Sequence, residues 1–361
     1  MRSVIMCLLG LSFLTVAAQA SVVHVYNWSD YIADEVIQRF EAQTGIRVVY
    51  DVYDANEILE AKLLAGRSGY DVIFPTAQPF AKRHIEANLY RPLDFSLLPH
   101  RVHLDEGLLA KLASVDPDNR YIVPYMWGTT GIGFNPAKVQ QALGTEKIPD
   151  SWSLIFDPAL AEKLSGCGIA VLDDEGEALA AALMYLGEDP NTHDPQAIAA
   201  AAELFAQVRP FIRYFHASKY INDLANGDIC VAHGYSGDVL QARDRAEEAG
   251  RGVTVDYLIP QEGAVLWFDV MAIPADAPNP ENAHAFIDFL LQPENIAEIT
   301  NVVAYANANA SATALVDEAI RNDPGIYPDS DLRQRLVTLE ALPASVQRLR
   351  VRTWTRIRTG R

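Results

Sequence analysis

From Val22 the chain reads VVHVY, an alternating run of β-branched and aromatic residues, and then breaks into Asn27, Trp28, Ser29, Asp30 and Tyr31. The run predicts a strand, and Val36, Ile37 and Phe40 ahead of Gly45 have the spacing and stop signal of an amphipathic helix from Asp34 to Gly45. Trp28 to Tyr31 therefore lie between a strand's carboxyl end and a helix start. Open α/β sheets bind ligands at that point, and aromatic residues around an acid suit a small cation. The competing reading makes Ser29 or Asp30 a helix cap and Trp28 ordinary core. Arg47 to Val52 is short and β-branched, Glu57 to Ala65 has helical spacing, and Tyr70 to Phe74 is an apolar strand stopped by Pro75. These make a βαβαβ start, and the turn Pro75 to Gln78 should face the same crevice as Trp28.

Tyr121 to Phe134 is extended, interrupted by Pro124 and loosened by Gly128, Gly131 and Gly133, and reads as a crossing between two lobes. A second α/β pattern comes next: a helix around Val139, a helix start at Ser151 and Trp152, a strand from Gly168 to Leu172, and an apolar helix from Ala178 to Leu186. Asp173, Asp174, Glu175 and Glu177 crowd the strand-to-helix turn, where the helix dipole alone would stabilise them. Ile229 to Val239 ends a buried strand and opens onto Tyr235, Ser236 and Asp238, and Val253 to Pro260 returns as a second crossing. Leu266 to Ile273 is an apolar strand with one charge, Asp269. Because an unpaired buried charge is costly, Asp269 needs a remote side chain or a ligand as partner. Beyond a helix at Ala283 to Leu291 comes a small, polar break, Ala304 to Asn309, that holds Tyr305. The last helix carries Arg348, Arg350, Arg352, Arg356 and Arg358, read as a solvated face, the alternative being a basic patch for a partner or an anionic lipid surface.

Charge and cysteine usage narrow the function. Arg2, the apolar stretch Val4 to Val16 and the ending Ala18-Gln19-Ala20 form a secretory signal peptide over residues 1–20, so the exported protein is expected to begin near Ser21. The chain beyond residue 20 is longer than one hydrophobic core usually supports, and two lobes are expected. Export leaves Cys167 and Cys230, read as one disulfide, with two buried free thiols as the alternative. The 47 acids against 29 bases give a formal charge of −18. Such a surface repels phosphate backbones, disfavours nucleic acid and suits a cationic ligand. Gly234-Tyr235-Ser236-Gly237-Asp238 falls short of a nucleophile elbow because its fifth position is Asp, and His100 and His103 lack a zinc-binding pattern. No catalytic residue, cofactor or metal is expected.

Seven segments in order, YNWSDYI, DVIFP, PYMWGTTGIGFN, YINDLANGDICVA, GYSGD, WFDV and YANAN, together resemble the periplasmic polyamine-binding proteins, the putrescine and spermidine receptors of ABC importers. The resemblance covers essentially the whole chain after residue 20. It implies an α/β, two-lobed periplasmic binding protein of type II, the Venus-flytrap class, each lobe a central sheet flanked by helices with two crossings. Lobe one would take residues 21–125 and 255–312, and lobe two 126–254 and 313–361, with the ligand cleft between them. It further implies a periplasmic, monomeric receptor that partners the membrane permease of an ABC importer. The implied cleft residues are Trp28, Ser29, Asp30, Tyr31 and Thr76 from lobe one, Glu177, Tyr235 and Asp238 from lobe two, Trp267 and Asp269 on the return strand, and Tyr305. The family disulfide falls on Cys167 and Cys230.

The chemistry of the ligand agrees with this set. A polyamine is a methylene chain bearing ammonium groups that donate hydrogen bonds and accept none. Carboxylates and aromatic faces supply charge pairing, cation–π attraction and apolar contact together. The chain departs from many relatives at Thr76, where they carry Ser, at Tyr235, where they carry Trp, and at Gln78. Asp174 and Trp267 bear on ligand length, because putrescine-type relatives tend to have a small neutral residue and Phe there. An added acceptor and a broader ring predict a preference for spermidine with putrescine second; the alternatives are a putrescine-specific receptor and, behind it, a receptor for another ligand or a hydrolytic enzyme.

Overall fold

The computed structural model describes residues 21–328 and 330–360, so the expected signal peptide lies outside the described residues. In chain order the strands are β1 (Val22–Trp28), β2 (Arg47–Tyr53), β3 (Val72–Ile73), β4 (Ile122–Phe134), β5 (Ile169–Val171), β6 (Ile212–Phe215), β7 (Val231–Tyr235), β8 (Asp256–Leu258), β9 (Ala264–Ala272), β10 (Ala306–Asn307) and β11 (Leu336–Val337). They join one sheet whose main path is β2-β1-β3-β9-β4-β7-β5-β6.

The first unit forms from local signals. β1 runs parallel to β2 and β3, and the helix Asp34–Thr44 buries Val36 and Phe40 before ending on Gly45 at φ 70°, a left-handed turn that a Cβ would disfavour. That helix is capped by Ala33 without a side-chain bond, so neither Ser29 nor Asp30 serves as its cap. β3 is shorter than expected because the backbone beyond Ile73 turns to other partners: Phe74 O accepts from the Tyr53 hydroxyl and Pro75 O from the Val270 N–H.

β4 is thirteen residues long and buried along its whole length. Pro124 does not end it, because the register against β9 shifts between Pro124 and Met126 and the irregularity absorbs the missing donor. β9 runs antiparallel to β4 from Ile122 opposite Ala272 to Thr130 opposite Val265. β8, in the expected return segment Val253 to Pro260, pairs with Ile132 to Phe134 at the far end of β4. β3 joins β9 at Ile73 opposite Ala272, and β7 joins β4 from Phe134 opposite Val231 to Thr130 opposite Tyr235. The parallel strands β1 to β3 and the parallel strands β5 to β7 thus point their carboxyl ends at each other along one antiparallel pair. This is the two-lobed α/β arrangement expected.

In the second lobe the helix Glu175–Tyr185 is buried on nearly every face between β9 and the helices Pro195–Val208 and Ala344–Thr359. It begins before the expected Ala178 because Asp174 caps it, accepting from the Glu177 N–H at 3.0 Å. Phe205 packs edge to face on Phe156 and Trp354 in this core, and Trp152 lies tilted against Phe156. The C-terminal helix is more than a solvated face: Arg350 is buried and donates to Pro190 O, and the Trp354 indole donates to Asp173 at 3.2 Å. A disulfide joins Cys167, ahead of β5, to Cys230, ahead of β7.

Candidate ligand-binding cleft

Strand register alone gathers the centre of the site. Thr76, just past β3, bridges to Asp269, and Asp269 lies opposite Met126; Trp267 lies opposite Gly128, and Tyr235, the end of β7, lies opposite Thr130. Four residues, three on β9 and β7 and one past the end of β3, therefore fall along about 13 Å of β4, at about 3.3 Å per residue. Asp269 and Trp267, two apart on β9, share one face of the sheet. Gly128 leaves room for the indole, since a Cβ there would lie 2.6 Å from the Trp267 ring.

Asp269 is 5 % exposed and receives the Thr76 hydroxyl at 2.8 Å. Thr76 is itself held by Asn56, whose amide donates to Thr76 Oγ1 at 3.0 Å and accepts from the Thr76 N–H at 3.1 Å. Burial pushes the Asp269 carboxyl up to about 7, against the Thr76 bond and the nearby Tyr31 hydroxyl, which favour its ionised form. The Tyr31 ring meets Tyr125 and Tyr305 edge to face at 5.5 Å and 5.2 Å, and the Tyr125 hydroxyl donates to Tyr31 O at 2.7 Å. Trp28, at the end of β1, packs on Tyr53 with ring centroids 4.5 Å apart, and its indole N–H has no partner.

Across the cleft, Asp238 sits in the first turn of the helix Ser236–Ala249. Its Oδ2 accepts from the Tyr220 hydroxyl at 2.7 Å and its Oδ1 from the Tyr305 hydroxyl at 2.8 Å. Burial lifts its pKa to about 6 while these two bonds hold it down. Trp267 lies edge to face with Tyr235 at 5.8 Å and with Tyr305 at 5.2 Å, and its indole N–H is also without a partner. Tyr305 reaches this position because residue 237 is glycine: a Cβ there would lie 2.5 Å from its ring.

Glu177 is 7 % exposed, one of its oxygens has no hydrogen-bond partner, and its pKa is raised well above the usual range by burial and then by Asp174. Neither Glu177 nor Asp269 forms an ion pair with Lys or Arg among the described residues. Asp174 is half-buried and spends one oxygen on the helix cap. Ser29 donates to Asp54 at 2.8 Å. Asp30, at φ 53°, has a 61 % exposed side chain 3.8 Å from Arg245 on the helix Ser236–Ala249. Of the expected cleft residues Tyr31, Glu177, Trp267, Asp269 and Tyr305 are buried, Trp28, Ser29, Thr76, Tyr235 and Asp238 are half-buried, and Asp30 is exposed.

Carboxylates taken out of water with their charge unpaired are costly, and a cation held among them with aromatic faces around it offsets that cost. The same residues offer neither a nucleophile beside a base nor a metal-binding cluster; no group of three or more His, Cys, Asp or Glu among the described residues is placed to hold a metal. Sequence reasoning missed Tyr220, Asn56 and Arg245. Tyr220 and Asn56 each begin an ordinary amphipathic helix, and nothing in their local pattern distinguishes a residue that reaches the cleft from one that fills the core.

Residues 35–328 match the family described as bacterial extracellular solute-binding protein. The putrescine-binding periplasmic protein SpuD of Pseudomonas aeruginosa is 55 % identical over 345 residues, covering 96 % of this chain and 94 % of that protein. The putrescine-binding periplasmic protein PotF of Escherichia coli is 50 % identical over 355 residues, covering 98 % and 96 %. The crystal structure of the spermidine/putrescine ABC transporter substrate-binding protein PotD of Streptococcus pneumoniae superposes with a TM-score of 0.78 at 27 % identity, covering 94 % of this chain and 99 % of that one.

Proposed function

The chain belongs to the bacterial extracellular solute-binding proteins, receptors and not enzymes, and from that premise we propose that it binds a polyamine in the periplasm, putrescine in preference to spermidine. It delivers this ligand to the membrane permease of an ABC importer. The observation that carries the reading is the enclosed set of Glu177, Asp238 and Asp269 among Trp28, Tyr31, Tyr235, Trp267 and Tyr305, with no Lys or Arg neutralising Glu177 or Asp269 within the described residues. A diamine supplies two ammonium groups to the acids and a methylene stem to the rings. We divide the lobes within β4 and β9 themselves, at the level of Gly128 and Trp267, which assigns 255–263 to the second lobe.

The preference for spermidine drawn from Asp174 and Trp267 gives way to putrescine for two reasons. Two relatives that share half or more of their residues with this chain are named for putrescine. Asp174, the extra acceptor on which a third ammonium would rely, has one oxygen committed to the Glu177 N–H. Calorimetric titration of the exported protein, after unfolding and refolding to strip bound ligand, with putrescine and spermidine at equal ionic strength tests the proposal. Putrescine should bind more tightly; a tighter spermidine would reverse the preference, and no heat with either amine would remove the polyamine reading. The intact mass of the exported protein should correspond to a chain starting at Ser21.

A further inference from the structure

We propose that Tyr220 is a positioning residue for ligand recognition, its hydroxyl fixing the carboxylate of Asp238 so that it meets an ammonium group in one orientation. The inference rests on the reading that Asp238 takes part in polyamine binding. Tyr220 lies on the helix Lys219–Asn226 and is fully buried, yet both bonds of its hydroxyl end on the cleft. It donates to Asp238 Oδ2 at 2.7 Å and accepts from the Tyr235 N–H at 3.1 Å. One hydroxyl therefore ties the last residue of β7 to the first turn of the following helix. Gly234 makes the approach possible, since a Cβ there would lie 2.6 Å from the Tyr220 ring.

On the other side Tyr305 donates to Asp238 Oδ1 at 2.8 Å and accepts from the Asp238 N–H at 3.1 Å. An ionised carboxylate offers about four lone-pair sites. Two phenols occupy one on each oxygen, so the carboxylate cannot rotate and its remaining sites have fixed directions. A tyrosine serving only as core would need no partner on the cleft, and phenylalanine would fill the same space.

The phenols also keep Asp238 charged. Its surroundings are Tyr220 and Tyr305, which favour the ionised form, Asp30, which opposes it, and Arg245, which favours it; Tyr31 and Tyr235 stand in the same field. Without the Tyr220 hydroxyl, burial acts against one fewer bond, and Asp238 holds its proton to higher pH. A protonated Asp238 cannot pair with ammonium.

The test is calorimetry with putrescine at pH 6 and pH 8 on the exported parent, Tyr220→Phe and Asp238→Asn, with thermal melts of each. Tyr220→Phe should bind about fivefold more weakly than the parent at pH 6 and no more than about twofold at pH 8, since a tenfold rise in the proton affinity of Asp238 from a pKa of about 6 cuts its ionised fraction from about one half to about one tenth at pH 6 and scarcely at pH 8. Asp238→Asn should be weak at both pH values. If Asp238→Asn binds within threefold of the parent, the reading of Asp238 fails and the inference with it. If Asp238→Asn is weak while Tyr220→Phe matches the parent, Tyr220 is core alone. An equal loss at both pH values with a lowered melting temperature, or a phenylalanine variant that does not fold, assigns the hydroxyl to stability and overturns the proposal.

Discussion

Replacing Asp269 by Asn should make the ligand-free protein more stable at pH 8 while it loses its ligand. Asp269 is 5 % exposed, and burial carries its pKa from the ordinary 3.8 to about 7. At about 1.4 kcal/mol per tenfold change in proton affinity, that displacement corresponds to about 4 kcal/mol against the folded state once the group is ionised in both states. The sign is set by the direction of the shift. Below pH 4 the carboxyl is protonated folded and unfolded, and there is no penalty. As pH rises from 4 to 7 the unfolded chain loses its proton first, so this group's contribution to stability is lost across that window and stays lost above it. An asparagine keeps Oδ1 as acceptor for the Thr76 hydroxyl, but its new N–H groups lack partners, at a cost of about 1–3 kcal/mol. The difference leaves the variant about 1–3 kcal/mol more stable at pH 8, with the advantage absent at pH 4. Putrescine should bind it weaker by roughly 2–5 kcal/mol, the range for removing one partner of a buried charge pair. At 100 times its dissociation constant for the parent, putrescine should stabilise the parent by about 2.7 kcal/mol and the variant by about 1 kcal/mol or less. Urea unfolding at pH 4 and pH 8 with and without putrescine reads all of these. Ligand-free Asp269→Asn no more stable than the parent at pH 8 would refute the argument, because loss of the Asp269 charge also relieves Glu177 and so adds to the variant's gain.

Three further outcomes rest on the geometry. Gly237→Ala places a Cβ 2.5 Å from the Tyr305 ring and should cost about tenfold in putrescine affinity by displacing the hydroxyl from Asp238; at an open helical site the same change would stabilise by about 1 kcal/mol, so a more stable variant with parental affinity contradicts the packing. Replacing both Cys167 and Cys230 by Ser opens a link across 63 residues and should lower stability by about 2–4 kcal/mol in urea titrations without altering affinity; an unchanged midpoint would mean the bridge constrains little. Asp174→Ala should cost about 1 kcal/mol of stability as a lost helix cap and change the putrescine to spermidine affinity ratio by less than about threefold, and a larger change in the ratio would restore Asp174 as a ligand acceptor.

The chain by itself determined the elements whose faces are buried one-sidedly or that end on a glycine. β1, the helix Asp34–Thr44 and the isolated acid in β9 are all legible, because a period of two or of 3.6 reports which face leaves water and a lone charge in an apolar strand reports a missing partner. Tertiary structure alone decided how those elements meet. β4 runs through Pro124 because β9 shifts register beside it, and β8 is held at the end of β4. Asp174 and Asp30 look like cleft acids in the sequence, which does not show that one also caps a helix and that the other lies 3.8 Å from Arg245. Thr76 meets Asp269 across 193 positions, Tyr305 meets Asp238 across 67, and Tyr220 meets Asp238 from a separate helix 18 positions earlier. Hydrogen bonds between side chains so far apart leave no period and no spacing in a single sequence; they exist only once the strand register has set the distances between the elements that carry them.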